Sequence, residues 1–402
     1  MESLKELYKI GNGPSSSHTM GPAKAAEIFY KQHPDANNFR ITLFGSLAAT
    51  GKGHLTDIAI ANALKPKCVE IIWDSDTYLP YHPNALKIEA LSENASVFAS
   101  ETYYSVGGGK IVEDSQTKNN TYKSDVYEFA NISEIMKFIL KEGISFWQFA
   151  EKYEDNDFRA YLANAWNTML DTIKRGLNAE GVLPGNLKLE RKAHSFWLKA
   201  KRTKDAFQRS SFVSAFALAV AEENASGGIV VTAPTCGSAG VLPAVLEYVR
   251  TVEDISEDKI INAIATAGIF GIAAKQNASI SGAEVGCQGE IGVACAMSAA
   301  AVAQLLGGTP LQIEYAAEIG LEHHLGLTCD PVRGYVQIPC IERNAFAAMR
   351  ALDCTDYALL SDGRHKISFD DVVETMKKTG QDLKISYRET SKGGLASIYE
   401  KY

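Results

Sequence analysis

Two hydrophobic rhythms divide this chain. Up to about residue 130, short runs rich in β-branched and aromatic side chains (FRITLF, CVEIIW, ETYYSV) alternate with helix-like stretches such as AKAAEIFYKQ and TDIAIANAL. Strands and covering helices of an α/β sandwich read this way. Beyond that point the strand signal almost vanishes. From ISEIMKFILKEGISFWQFAEKYE onward, apolar residues return at three and four positions, through DAFQRSSFVSAFALAVAEE, IINAIATAGIFGIAAK and FDDVVETMKKTG, which is the period of packed helices. The predicted fold is α+β with two domains: an α/β sandwich over residues 1–130, then an all-helical domain over residues 131–402. The polar stretch DSQTKNNTYKSD before the changeover predicts a surface hairpin or loop, and no internal repeat is visible.

One segment imitates a membrane span, since residues 229–249 are nearly uncharged apart from Glu247. Pro234 and Pro243 interrupt it and TAPTCGSAG is turn-like, so it reads instead as buried helix in a large bundle. An apolar content of 46% is ample for a core, and a net charge of −8 argues against nucleic acid and for small-molecule partners. The start, MESLKELYKI, carries charges where a secretory signal needs an apolar run. A reducing cytoplasm is therefore expected, with thiols and no disulfides.

Three of the seven cysteines stand in Gly/Pro-punctuated loops: Cys287 (AEVGCQGEIG), Cys329 (GLTCDPVRG) and Cys340 (VQIPCIERN). Cys287 and Cys340 precede helix-like runs, where the positive end of a helix favours thiolate. Their separations of 42 and 11 positions fit no zinc ribbon or finger. Taken by themselves, these residues are metal-ligand candidates set beside ordinary buried packing. Cys295, inside an Ala-rich helical pattern, reads as packing, and Cys68 and Cys354 read as structural.

Two of the eight histidines stand in loops with candidate chemistry. In GNGPSSSHTMGPAKAAEIF, a hydroxyl-rich loop enters a helix at about Pro22; Ser15, Ser16, Ser17 and Thr19 with helix-start N–H groups suit an anion or zwitterion, and His18 titrates near neutrality. His54 lies in FGSLAATGKGHLTD, after a strand and before a helix capped by Thr56. This is no phosphate loop, because Gly45 and Gly51 enclose five residues and Gly53 follows Lys52. YSVGGGK reads as a hairpin turn.

The strings NASISGAEVGCQGEIGVACAMSAAA, GLTCDPVRGYVQIPCIERNA, TAPTCGSAGVLPAV and GPSSSHTMGP together resemble the iron–sulfur-dependent bacterial L-serine dehydratases (L-serine ammonia-lyases), over nearly the whole chain. The resemblance implies a [4Fe–4S] cluster held by Cys287, Cys329 and Cys340, whose open iron acts as Lewis acid on the hydroxyl of L-serine. It implies that His54 removes the Cα proton while His18 orients substrate or serves as acid, with the reverse assignment open. Ser15, Ser16, Ser17 and Thr19 are implied to contact substrate, as are Thr50 and Gly51 of TGKGH. So are Asn277, Ser279 and Ser281. The products would be pyruvate and ammonia, and the assembly a homodimer. A pyridoxal phosphate route through Lys275 is set aside, since a metal-bound hydroxyl needs no Schiff base. A zinc-holding amino-acid sensor and a dehydratase of another hydroxy amino acid, such as threonine, are the rival readings.

Three departures from that pattern stand out. Cys236 occupies a position where many relatives have asparagine, which brings an extra thiol or an altered polar contact near the site. Arg333 falls where many have glycine, predicting a stiffer loop or a new carboxylate contact. No cysteine follows Cys354, so inhibition by a thiolate tail is not expected.

Overall fold

A computed structural model describes residues 1–117, 126–202 and 207–399. The strands are β1 (Ile10–Asn12), β2 (Asn38–Phe44), β3 (Cys68–Asp74), β4 (Ala85–Leu91), β5 (Val97–Ser105), β6 (Ile111–Glu113) and β7 (Ile229–Val231). The N-terminal helices are α1 (Gly21–Gln32), α2 (Gly45–Thr50), α3 (Thr56–Ala63) and α4 (Asp114–Thr117). The later ones are α5 (Ile132–Glu142), α6 (Phe146–Tyr153), α7 (Phe158–Asn178), α8 (Ala193–Ala200), α9 (Gln208–Ala225), α10 (Val241–Val252), α11 (Glu257–Asn277), α12 (Gly282–Val285), α13 (Ile291–Leu305), α14 (Pro310–Glu322), α15 (Cys340–Leu360), α16 (Phe369–Asp382) and α17 (Gly394–Tyr399).

The N-terminal sheet has strand order β3-β2-β4-β5-β6, with β2 and β3 parallel and the other pairs antiparallel. Alternation sends Phe39, Ile41 and Leu43 of β2 and Leu86, Ile88 and Ala90 of β4 into one core with Ala25, Ala26 and Phe29 of α1 and Ile60 of α3. The other face is polar, as in the Arg40–Glu70 ion pair. This is the α/β sandwich that the first rhythm predicts. Strand β4, ALKIEAL, is rich in helix formers, so propensity alone argues against it; pairing on both edges overrides that preference.

The helical domain wraps α13, which is buried on every side and packs against α10, α11, α14 and α15. Residues 229–249, the imitation span, fold as β7, a 3₁₀ turn at Cys236–Ser238 and the greater part of α10. Among the described residues, no single helix is long and apolar enough to cross a membrane. Cys295 and Cys354 face each other in this core, whereas Cys68 is exposed at the start of β3, so its expected structural burial does not hold. Of the polar stretch before the changeover, residues 114–117 form α4 and residues 118–125 lie outside the described residues.

The chain begins inside the second core. Met1, Leu4, Leu7 and Tyr8 are buried among the helices, and β1 pairs antiparallel with β7, Ile10 opposite Val231. Only then does the chain cross to the sheet. The SSSHT loop therefore sits at the seam between the two cores.

Candidate active site

The two histidine loops converge on that seam. Residues Ser16–Met20 form a single π-helical turn whose N-cap, Ser15, accepts a hydrogen bond from the His18 N–H at 3.0 Å. The loops are tied reciprocally. Thr19 Oγ1 donates to the His54 carbonyl at 2.7 Å, and Thr56 Oγ1 donates to the His18 carbonyl at 2.6 Å. Thr56 is thus not the cap expected of it; Leu55, in a left-handed conformation, stands there instead. The imidazoles stack at 4.4 Å between centroids.

Hydrogen bonding assigns the tautomers. Ser46 Oγ donates its only proton to the Glu389 carbonyl at 2.8 Å, so it accepts from His18 Nε2 at 3.1 Å, and His18 Nδ1 accepts from Ser17 Oγ at 2.9 Å. His54 Nδ1 donates to the Thr50 carbonyl at 2.9 Å. That leaves the His54 Nε2 lone pair open, 3.6 Å from Glu389 Oε1. Burial holds both histidines neutral: it lowers the His54 pKa to about 4, and burial with the neighbouring His54 drives His18 well below its ordinary value. Burial likewise lifts the Glu389 carboxyl well above the usual carboxylate range, against the opposing pull of the Ala283 N–H.

Across the cavity stand the cysteines. Cys287 sits in a 3₁₀ turn just before α13, and Cys340 opens α15. Cys329 is held by its backbone: its N–H donates to the Tyr387 carbonyl at 2.8 Å and its carbonyl accepts from Glu389 N–H at 2.7 Å. One small cavity is lined by all three cysteines together with Ser15, His54, Glu290 and Glu389. Cys287, Glu290 and Cys329 present ligand atoms within 4.8 Å of one another, as do His18, His54 and Glu389. A hydrogen bond from Cys329, with help from the nearby Arg343 guanidinium, holds the Cys287 thiol below its ordinary pKa despite burial.

The cavity is kept open by missing side chains. A Cβ on Gly282 would lie 2.9 Å from Glu290 Oε2, 3.0 Å from Cys329 Sγ and 3.2 Å from Glu389 Oε2. A Cβ on Gly53 would strike the Gly334 backbone at 2.4 Å, so the histidine and cysteine loops touch only because both residues are glycine. Three thiols facing one space, Cys287 and Cys329 buried and Cys340 half-buried, with a cation beside them suit a thiophilic metal centre.

Not every expected residue faces this space. Ser15, Ser17 and Thr19 line or brace it, but their hydroxyls are spent on building the loop, and buried Ser16 opens the π-helical turn. Thr50 Oγ1 donates to the Ser46 carbonyl at 3.1 Å, and Gly51 packs against Leu47 and Trp73. Asn277 points away, donating to the Ala130 carbonyl at 3.0 Å. Ser279 donates to Glu284 at 2.5 Å. Cys236 turns toward Met20, with sulfurs 3.5 Å apart. Arg333 adopts φ 51°, a conformation glycine favours, and among the described residues lies over the Tyr399 ring rather than on a carboxylate. Glu389, Glu290 and Arg343 were not foreseen. Glu290 and Arg343 stand three positions after Cys287 and Cys340, so that spacing is a signal in the local strings, whereas only long-range packing brings Glu389 here.

Comparison with known proteins bears on the whole chain. A family model described as serine dehydratase beta chain matches residues 3–72, and one described as serine dehydratase alpha chain matches residues 86–396. The chain is 42% identical to L-serine dehydratase 1 of Escherichia coli (strain K12), covering 98% of this chain and 99% of that protein. It is 41% identical to an L-serine dehydratase of Haemophilus influenzae, at 98% and 99% coverage, and 40% identical to one of Streptomyces coelicolor, at 98% of both. The chain belongs to the serine dehydratase family and carries the family's beta-chain and alpha-chain parts in one polypeptide.

Proposed function

We propose that this chain is an L-serine ammonia-lyase that converts L-serine to pyruvate and ammonia, with Cys287, Cys329 and Cys340 holding a [4Fe–4S] cluster. When bound, that cluster would supply a Lewis-acidic iron for the departing hydroxyl. The remaining work falls to the chain. His54 is the base for the Cα proton, because its Nε2 carries an unengaged lone pair while both nitrogens of His18 are hydrogen-bonded. His18 and Ser46 fix the stack from behind. The eliminated aminoacrylate tautomerises and hydrolyses to the products once released. The observation that carries this reading is the single cavity shared by three thiols and an open imidazole nitrogen.

Anaerobic purification tests it, with an absorption spectrum, an iron and sulfide count, and a pyruvate assay on L-serine. About four irons and four sulfides per chain and turnover of serine are expected. A colourless protein carrying one zinc and turning over nothing would overturn it. Threonine assayed beside serine tests the choice of substrate. The net charge of −8 supports a small-molecule partner over nucleic acid. A cytoplasmic homodimer is part of the proposal, and sedimentation of the holoenzyme checks the dimer.

A further inference from the structure

Beside the histidine wall, four buried polar atoms lack any hydrogen-bond partner among the described residues: Asn84 Oδ1 and Nδ2, Ser105 Oγ and Ser281 Oγ. Their residues are each at least nine-tenths buried. They form a ring. The Ser105 N–H donates to the Asn84 carbonyl at 2.8 Å, and β4 and β5 pair so that both side chains lie on the inner sheet face, one step beyond Leu86 and Tyr103. From Ser105 the chain turns through Gly107, which packs against Ser281. The Ser281 N–H donates to Ser279 Oγ at 3.0 Å, and Ser279 donates to Glu284. Glu284 Oε2 stands 3.5 Å from His82 Nε2, and His82 Nδ1 accepts from the Asn84 N–H at 3.0 Å, closing the circuit. The ring adjoins the histidines, since the Pro83 carbonyl accepts from the N–H of Ser46, the residue bonded to His18.

Folded proteins rarely leave so many buried donors and acceptors unmatched, and a cluster of them in one place calls for an occupant. The occupant must offer donors and acceptors together. We propose that His82, Asn84, Ser105 and Ser281, with Glu284 at the edge, recognise the amino-acid head group of the substrate. The carboxylate takes the Asn84 Nδ2 and hydroxyl donors, and the ammonium faces Asn84 Oδ1 and Glu284. The inference rests on the L-serine ammonia-lyase reading. A surface cleft lined by Val106, Lys110, Lys275, Ser279, Ile280 and Glu284 reaches the same carboxylate and offers a route in.

Such a site grips the head group without the hydroxyl, so L-alanine should be a competitive dead-end ligand. The test uses the holoenzyme and its Asn84→Ala and Ser105→Ala variants, reading KM for L-serine, calorimetric affinity for L-alanine, the visible spectrum and Tm. In Asn84→Ala, KM and the L-alanine Kd should rise together by about ten- to a hundredfold, with the spectrum unchanged. Its Tm should hold or rise, because the lost group bonds nothing in the protein; a purely structural asparagine would lower it. Ser105→Ala should show a smaller rise of the same kind. Affinities within about twofold of wild type in Asn84→Ala, or no L-alanine binding by the wild type, would overturn the proposal and leave the ring to ordered water. A wild type that binds L-alanine through Asn84 but never turns over serine would sink the activity reading and leave the head-group site standing.

Discussion

The two walls of the cavity are held in opposite ways. On the histidine wall, the rings are fixed by side-chain and backbone bonds within and between two short loops, and one nitrogen alone, His54 Nε2, is left with its lone pair unengaged. On the cysteine wall, the backbones are anchored by Tyr387, Glu389 and the helix starts, yet the thiols of Cys287 and Cys329 meet chiefly each other. The difference is chemical. A base must be aimed before substrate arrives, because misplacement costs rate directly. Ligands to a metal centre are completed by the metal, and their pairing energy is realised only when it binds.

That contrast can be broken most sharply at the thiols. Replacing Cys287, Cys329 or Cys340 with Ala should remove the visible absorption and the turnover together, whereas Cys295→Ala, a core change, should keep both. Iron content and pyruvate formation read the outcome, and full iron in any of the three variants would remove that residue from the ligand set.

On the other wall the effects should be kinetic. His54→Ala should leave the iron count intact and lower turnover by about two to four orders of magnitude, abolishing exchange of the serine Cα hydrogen with deuterated solvent. Exchange that survives in His54→Ala and vanishes in His18→Ala would reverse their roles. The buried imidazole also carries a pH signature. Because folding lowers the His54 pKa to about 4, the unfolded chain binds a proton that the folded chain refuses. Stability contributed by neutral His54 is complete above about pH 6.5 and is lost as pH falls toward 4, by about 3 kcal/mol at most. His54→Gln should flatten that slope in urea unfolding between these limits; an unchanged slope would show that other groups set it.

The smallest effect belongs to the tail. Helix α17 rests against the turn at Val332–Gly334, with Leu395 N–H donating to Asp330 at 2.6 Å and Tyr399 beneath Arg333. Deleting residues 397–402 should change the initial rate with serine by less than about twofold and leave the progress curve without a lag. A truncation that abolished a pronounced lag would place the tail in the cavity.

How far the site could be read beforehand follows the span of its contacts. The SSSHT and TGKGH loops lie within 40 residues of each other and are tied by hydroxyl bonds to each other's backbone, so their candidate chemistry is visible in their strings. The cysteine loops mark Cys287, Cys329 and Cys340 as metal-ligand candidates by residue type and loop setting. Glu389 could not be foreseen, because its role comes from a contact between Tyr387–Glu389 and Cys329, and Asn84 looks like a loop residue until β5 buries it. Asn277 was expected at the pocket from its nearness to Cys287, but the end of α11 aims it at Ala130.

The sequence by itself determined the two rhythms and hence the two layers of architecture, the burial of α13, and which loops carry thiols and imidazoles. Those properties depend on the period of apolar residues and on local turn chemistry, both written in neighbouring positions. Only the tertiary structure decided that the first twelve residues belong to the helical core, that His54 rather than His18 keeps an open nitrogen, and that Glu389, Gly282 and the unsatisfied ring around Asn84 face one seam. Each of these is set by groups brought together from distant parts of the chain, whose identity no local window contains.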